Sequence, residues 1–124
     1  MKTIGLKKYQ VKELYAKKIN GKTVILNISD RQGNYTKRKG WRISKLFAIY
    51  QPDPNRKLCT LVHRKSGLPL FTNLTILKAS RLTKYIEMYY KNFFEFNNEK
   101  DFHKRGRSVT NSIMQDIRSY KDLM

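Results

Sequence analysis

The chain is short of the residues that build covalent or metal-held scaffolds. It has one cysteine, Cys59, so no intramolecular disulfide can form and no cysteine-based metal cluster exists. Histidine is nearly as scarce. His63 follows Cys59 by four residues, a spacing that puts both on one face of a strand, and His103 alone cannot complete the four ligands of structural zinc. No metal and no other cofactor is expected. Long apolar runs are also missing: the opening residues, MKTIGLKKYQ, lack the apolar stretch of a signal peptide, and no segment reaches membrane-spanning length. A cytoplasmic protein is expected, and the single cysteine suits a reducing compartment. Acidic residues are few, nine against 27 Lys and Arg, which leaves a net charge of +18.

Apolar residues make up 40% of the 124, and aromatics 12%, enough to build one folded domain with a real core rather than a disordered basic tail. The charge is unevenly spread. Residues 1–52 carry 13 Lys or Arg against two acids, residues 53–85 seven against one, and residues 86–124 seven against six. The cationic excess therefore belongs to the first two thirds. A phosphate polymer is the natural partner, because neutralising phosphates releases condensed counterions whatever the sequence. An anionic membrane would satisfy the same field, but these cations alternate with short strand-like runs rather than lining one amphipathic helix. No membrane partner is expected.

The most cationic stretch is residues 31–47, RQGNYTKRKGWRISKLF, which holds the only tryptophan. Burying its unpaired cations would cost more than its apolar residues return, so it faces water or an anion.

The elements read as follows. Residues 6–19 fit helix and strand spacing alike, and Asn20-Gly21 is a hairpin turn. Residues 23–29 form a strand with Val24, Leu26 and Ile28 on one face, residues 30–33 a turn, and residues 35–39 a returning strand. That return puts Tyr35, Lys37 and Lys39 on one face, and Thr36 and Arg38 on the other. Ile43, Leu46, Phe47 and Tyr50 stand at helical spacing, so a short helix is expected; a strand carrying Trp41, Ile43, Phe47 and Ile49 on one face is the alternative. The loop QPDPN interrupts. Residues 58–62 and 68–72 read as two strands around a turn at residues 63–67, with Pro69 suited to an edge. Asn73 caps a long helix over residues 74–96, whose stripe of Leu74, Leu77, Leu82, Tyr85, Ile86, Tyr89, Phe93 and Phe96 makes it the core pillar. Ser108 caps a last helix with Val109, Ile113, Ile117 and Tyr120 on one face, suited to the sheet or to a homodimer contact.

The expected fold is α+β, one small domain over residues 1–124. Antiparallel hairpins, readable as two ββα units, form a basic β-rich part (residues 1–73). They pack on the long helix of a helical part (residues 74–124) that ends in the terminal helix.

Two motif matches carry no chemistry. AKKINGKT, residues 16–23, satisfies a permissive phosphate-loop pattern, but lysines fill the loop and a β-branched run follows where a helix is required. Cys59 reads as a small buried strand residue rather than a nucleophile. Three functions then compete. The favoured one is non-catalytic nucleic-acid binding, duplex DNA over RNA, by a regulatory or accessory protein. Arg31, Gln32, Asn34, Arg38 and Arg42 have the chemistry to read base edges; Lys37, Lys39, Lys45, His63, Arg64 and Lys65 grip phosphates; Tyr35 and Trp41 stack on bases or brace the sheet. The second is a metal-independent ribonuclease using His63 or His103 with Arg64, Lys65 or Arg105, for which no acid stands out to orient the histidine. The third is a basic protein that binds an acidic surface of another protein.

Overall fold

The computed structural model describes residues 23–30 and 32–124; the readings of residues 6–19, of Asn20-Gly21, of most of residues 16–23 and of Arg31 fall outside the described residues. Five strands, β1 (Thr23–Ser29), β2 (Tyr35–Arg42), β3 (Phe47–Tyr50), β4 (Cys59–His63) and β5 (Pro69–Leu74), lie in chain order in one antiparallel sheet. Three helices follow, α1 (Ile76–Tyr90), α2 (Glu99–His103) and α3 (Arg107–Leu123). The fold is α+β.

β1 forms because Val24, Leu26 and Ile28 alternate with polar or exposed neighbours and because its turn is held by a side chain. Asp30 Oδ1 accepts from the backbone N–H groups of Gln32 at 2.7 Å and Asn34 at 3.1 Å, and Gly33 supplies the φ of 89° that completes the reversal. Those bonds, that of Gln32 first and the Asn34 amide next, hold the Asp30 carboxyl below its ordinary pKa. β1 then pairs with β2 from Thr23↔Trp41 to Ser29↔Tyr35.

The helix expected over residues 43–50 is not there. The Ile43 and Ser44 N–H groups both donate to the Phe47 carbonyl, Ser44 Oγ accepts from Phe47 N–H, and the chain turns into β3. Phe47, Ala48 and Ile49 are all buried, so this segment needs two apolar faces, which a strand supplies and a single helical stripe does not. The two-unit ββα reading fails with it. β5 is the last strand, and Pro69 sits at the sheet's edge.

One sheet face carries Trp41, Phe47, Ile49, Leu61, Phe71 and Leu74, which pack with Ala79, Leu82 and Ile86 of α1 and Ile117 of α3. On the other face Leu26 and Ile28 pack with Ala48 and Val62, because the β1–β2 hairpin curls across the sheet. Gly40 permits the curl: a Cβ there would stand 2.5 Å from the Ile49 carbonyl oxygen and 2.6 Å from Leu26 Cδ1. At the far end of β1, Ser29 N–H donates to the Gly67 carbonyl at 2.9 Å, so β1's outer edge meets the β4–β5 turn.

The helical part departs from expectation at its ends. Thr75, not Asn73, caps α1, its hydroxyl accepting from Lys78 N–H at 3.2 Å, while Asn73 takes a φ of 57°. α1 stops at Tyr90 because Phe94 and Phe96, two residues apart, are both buried, and a helix would point them in opposing directions. Leu77 and Tyr89 of the expected stripe stay exposed. Asn98 opens α2, and Gly106, not Ser108, precedes α3. The expected face of α3 is used in part within the chain: Ile117 is buried, Tyr120 stacks on Tyr85 at 4.0 Å, and the neighbouring Asp116 accepts from the hydroxyls of Tyr85, at 2.7 Å, and Tyr90, while Val109 stays 53% exposed. Among the described residues no helix is long and apolar enough to cross a membrane.

Candidate functional site

The register and the alternation of the β1–β2 hairpin sort its side chains into two sets. Tyr35, Lys37 and Lys39 project from one face, opposite Ser29, Asn27 and Ile25 in turn. Asn27, Lys37 and Lys39 are exposed, Tyr35 is 54% exposed and Ile25 is 68% exposed. At the tip, Gln32 and Asn34 are also exposed, with the Asn34 amide tied to Asp30 Oδ2 at 3.1 Å. This face is a ribbon two strands wide, cationic along β2 and uncharged along β1.

The other face of β2 holds Arg38 and Arg42. Arg38 is a clamp: its Nη2 donates to the carbonyls of Gln51 at 3.3 Å and Pro52 at 3.0 Å, and its guanidinium lies over the Tyr50 ring, 5.2 Å from the centroid. Those bonds fix the QPDPN loop and point the guanidinium away from Lys37 and Lys39. Arg42 belongs to a separate cluster with Lys45 and Arg64 around the β2–β3 turn. Arg64 N–H donates to the Leu46 carbonyl at 2.8 Å and Arg64 Nη1 to the Lys45 carbonyl at 3.0 Å. Partial burial first, and the Arg42 charge second, lower the Arg64 pKa. Lys65 is exposed and reaches the Asn97 side-chain oxygen at 3.5 Å. Among the described residues none of these cations has a carboxylate within ion-pair distance; the ion pairs there are His103–Glu99 and Lys121–Asp122.

Two expected contact residues are inside the molecule. Trp41, 4% exposed, sits in the main core, so it braces the sheet rather than stacking on a base. His63 is fully buried, stacked on Phe96 at 4.0 Å and edge-on to Phe47. Its Nε2–H donates to the Phe94 carbonyl at 2.7 Å, so Nδ1 accepts from the Ser66 hydroxyl at 2.8 Å, and that oxygen accepts from Leu68 N–H at 3.1 Å. Burial pushes its pKa below 6.5; the Phe94 bond offsets part of this and the Lys65 charge adds to it. His63 is therefore a neutral core residue that anchors the β4–β5 turn to the segment after α1. Neither a phosphate nor a scissile bond can reach it, which removes it from the expected contacts and from the ribonuclease scheme.

Two groupings were hidden in the sequence. Ile25 and Asn27 belong to the cationic ribbon, and the strand alternation that buries Leu26 and Ile28 is the pattern that exposes them. Glu99 is the acid that the sequence did not single out near His103: its Oε2 lies 3.5 Å from His103 Nε2, one helical turn away, while Oε1 accepts from the Ser29 hydroxyl at 2.6 Å. Among the described residues no three His, Cys, Asp or Glu side chains gather where a metal ion would bind.

The fold and the site define a small α+β domain that presents a cationic β-ribbon beside a helix-backed antiparallel sheet. No family model matches the chain, and neither curated proteins nor solved structures give a match.

Proposed function

We propose that this protein binds duplex DNA without catalysis, laying the exposed face of its β1–β2 ribbon against the double helix. The observation that carries the reading is that Lys37 and Lys39 stand exposed on one strand face with no carboxylate in reach among the described residues. Two like charges held side by side repel each other, and a phosphate row relieves that repulsion while releasing counterions. A two-stranded ribbon also fits the roughly 12 Å width of the major groove. The Arg42, Lys45 and Arg64 cluster, with Lys65, offers a further phosphate grip.

Titration against duplex DNA, single-stranded DNA and RNA at several salt concentrations tests this. The expected result is tightest binding to duplex, with the logarithm of affinity falling steeply and linearly with the logarithm of salt. A shallow slope together with binding to an acidic protein surface would replace DNA by a protein partner. A second reading, RNA cleavage by His103, draws on the Glu99 carboxylate beside that ring and on Arg105 two residues on. Incubation with labelled RNA in chelator separates the two: cleavage that His103→Ala abolishes would favour it, and intact RNA would dismiss it.

A further inference from the structure

Ile25 raises a question that phosphate gripping does not answer. A large β-branched side chain, 68% exposed, stands directly opposite Lys39, and the uncharged amide of Asn27 stands directly opposite Lys37. A surface built only to hold phosphates would gain from cations at both places. Instead the ribbon has a cationic strand and a strand bearing one apolar group and one amide, two residues apart on the same face.

These two groups match the two features that an A·T pair shows in the major groove. An asparagine amide donates to adenine N7 and accepts from the adenine N6 amino group, and an apolar side chain covers the thymine methyl. Residues two apart on a strand are about 6.8 Å apart, close to two base-pair steps of roughly 3.4 Å. We infer that β1 reads sequence, with Asn27 selecting an adenine and Ile25 selecting a thymine about two base pairs away, while Lys37 and Lys39 on β2 hold the flanking backbone. The inference rests on the duplex-binding reading and adds A·T specificity to it.

Selection from a randomised duplex pool tests it, followed by probes of the selected site. The wild-type protein is expected to enrich a site with one fixed adenine and one fixed thymine about two steps apart. Replacing that adenine by 7-deaza-adenine, which lacks only the N7 acceptor, is expected to weaken binding by a few-fold to about tenfold. Replacing the thymine by uracil, which removes only the methyl, is expected to cost about three- to fivefold. In the Asn27→Ala protein the adenine preference disappears while the uracil effect persists; in Ile25→Ala the uracil effect disappears while the adenine preference persists. Both side chains are exposed, and thermal melting verifies that each variant folds. Three results overturn the inference: enrichment of G·C positions, variants that select the same site as the wild type, or no enriched site despite salt-dependent binding. The last leaves the ribbon as a phosphate grip and the proposed function standing. Failure to bind any duplex at low salt removes that function and this inference together.

Discussion

At the scale of single residues, the fold depends on small groups in crowded places. His63 is the clearest case, a ring buried in its neutral form with both nitrogens bonded. Its pKa is depressed in the folded state, so the unfolded chain takes up its proton first as pH falls. The stability it contributes is therefore present above about pH 6.5 and is lost as pH drops from there toward the lower, folded-state value. Melting temperature should decline from pH 7.5 to pH 5 more steeply for the native protein than for His63→Gln, measured by circular dichroism. At neutral pH His63→Ala should cost about 2–4 kcal/mol, because it leaves a cavity among Phe47, Phe94 and Phe96 and strips the Phe94 carbonyl of its donor. Gly40 acts by absence. Alanine there would drive its Cβ into the Ile49 carbonyl, a backbone atom that cannot swing aside, and Gly40→Ala should lower stability by about 1–3 kcal/mol in urea denaturation.

At the scale of elements, β2 divides its cations by parity, and the division has measurable consequences. Lys37 and Lys39 share the ribbon face, whereas Arg38 is tied to the Gln51 and Pro52 carbonyls on the other. On the duplex-binding proposal, Lys37→Ala with Lys39→Ala should flatten the salt slope by about two units, near one per lost phosphate contact, and leave the melting temperature nearly unchanged. Arg38→Ala should do the reverse, keeping the slope and costing about 1–2 kcal/mol of stability through its charged bonds to the loop. Equal slopes for the double variant and the wild type would move the interface away from the ribbon.

The same strands show what could be read beforehand. β1, its turn, and the faces of Tyr35, Lys37 and Arg38 were legible because β-branched alternation and Asp-x-x-Gly-Asn turn chemistry act locally. β3 was not, because Ile43, Leu46, Phe47 and Tyr50 satisfy a helical period by coincidence; only tertiary burial on both faces of Phe47, Ala48 and Ile49 decides for a strand. The end of α1 was missed for a related reason, since the pull of Phe94 and Phe96 toward His63 is a contact across 31 residues. In the candidate site, solvent-facing lysines were legible from charge alone. The burial of Trp41 and His63 and the pairing of Glu99 with His103 were not, because each depends on which segments the fold brings together.

At the scale of the whole molecule, the helical part closes with its own polar clamp, while the cations of the sheet have no carboxylate within ion-pair distance among the described residues. In the clamp, Asp116 accepts from Tyr85 and Tyr90 between α1 and α3. The bond to Asp116 is the largest cause that raises the Tyr85 pKa to about 12, and the two phenols hold the Asp116 carboxyl below its ordinary value. A phenol whose pKa is raised by folding contributes stability below pH 10 that is lost as pH climbs through its raised value, so Asp116→Asn should bring the ultraviolet ionisation of both Tyr85 and Tyr90 down toward 10.

The sheet responds to salt in a different way. A net charge of +18 repels itself, and raising monovalent salt from about 0.01 M to 0.1 M shortens the Debye length from roughly 30 Å to 10 Å, so the free protein should melt at a higher temperature. A duplex that binds only the folded state stabilises it as well, by about 2.7 kcal/mol at a hundredfold excess over Kd, which for a domain of this size is roughly 8–12 °C. That increment shrinks with the same salt, because salt competes for the phosphates. On the binding proposal the two curves therefore converge as salt rises, the free protein climbing while the complex gains less. Parallel curves would mean that salt acts on the fold alone and that the sheet's cations hold no phosphate.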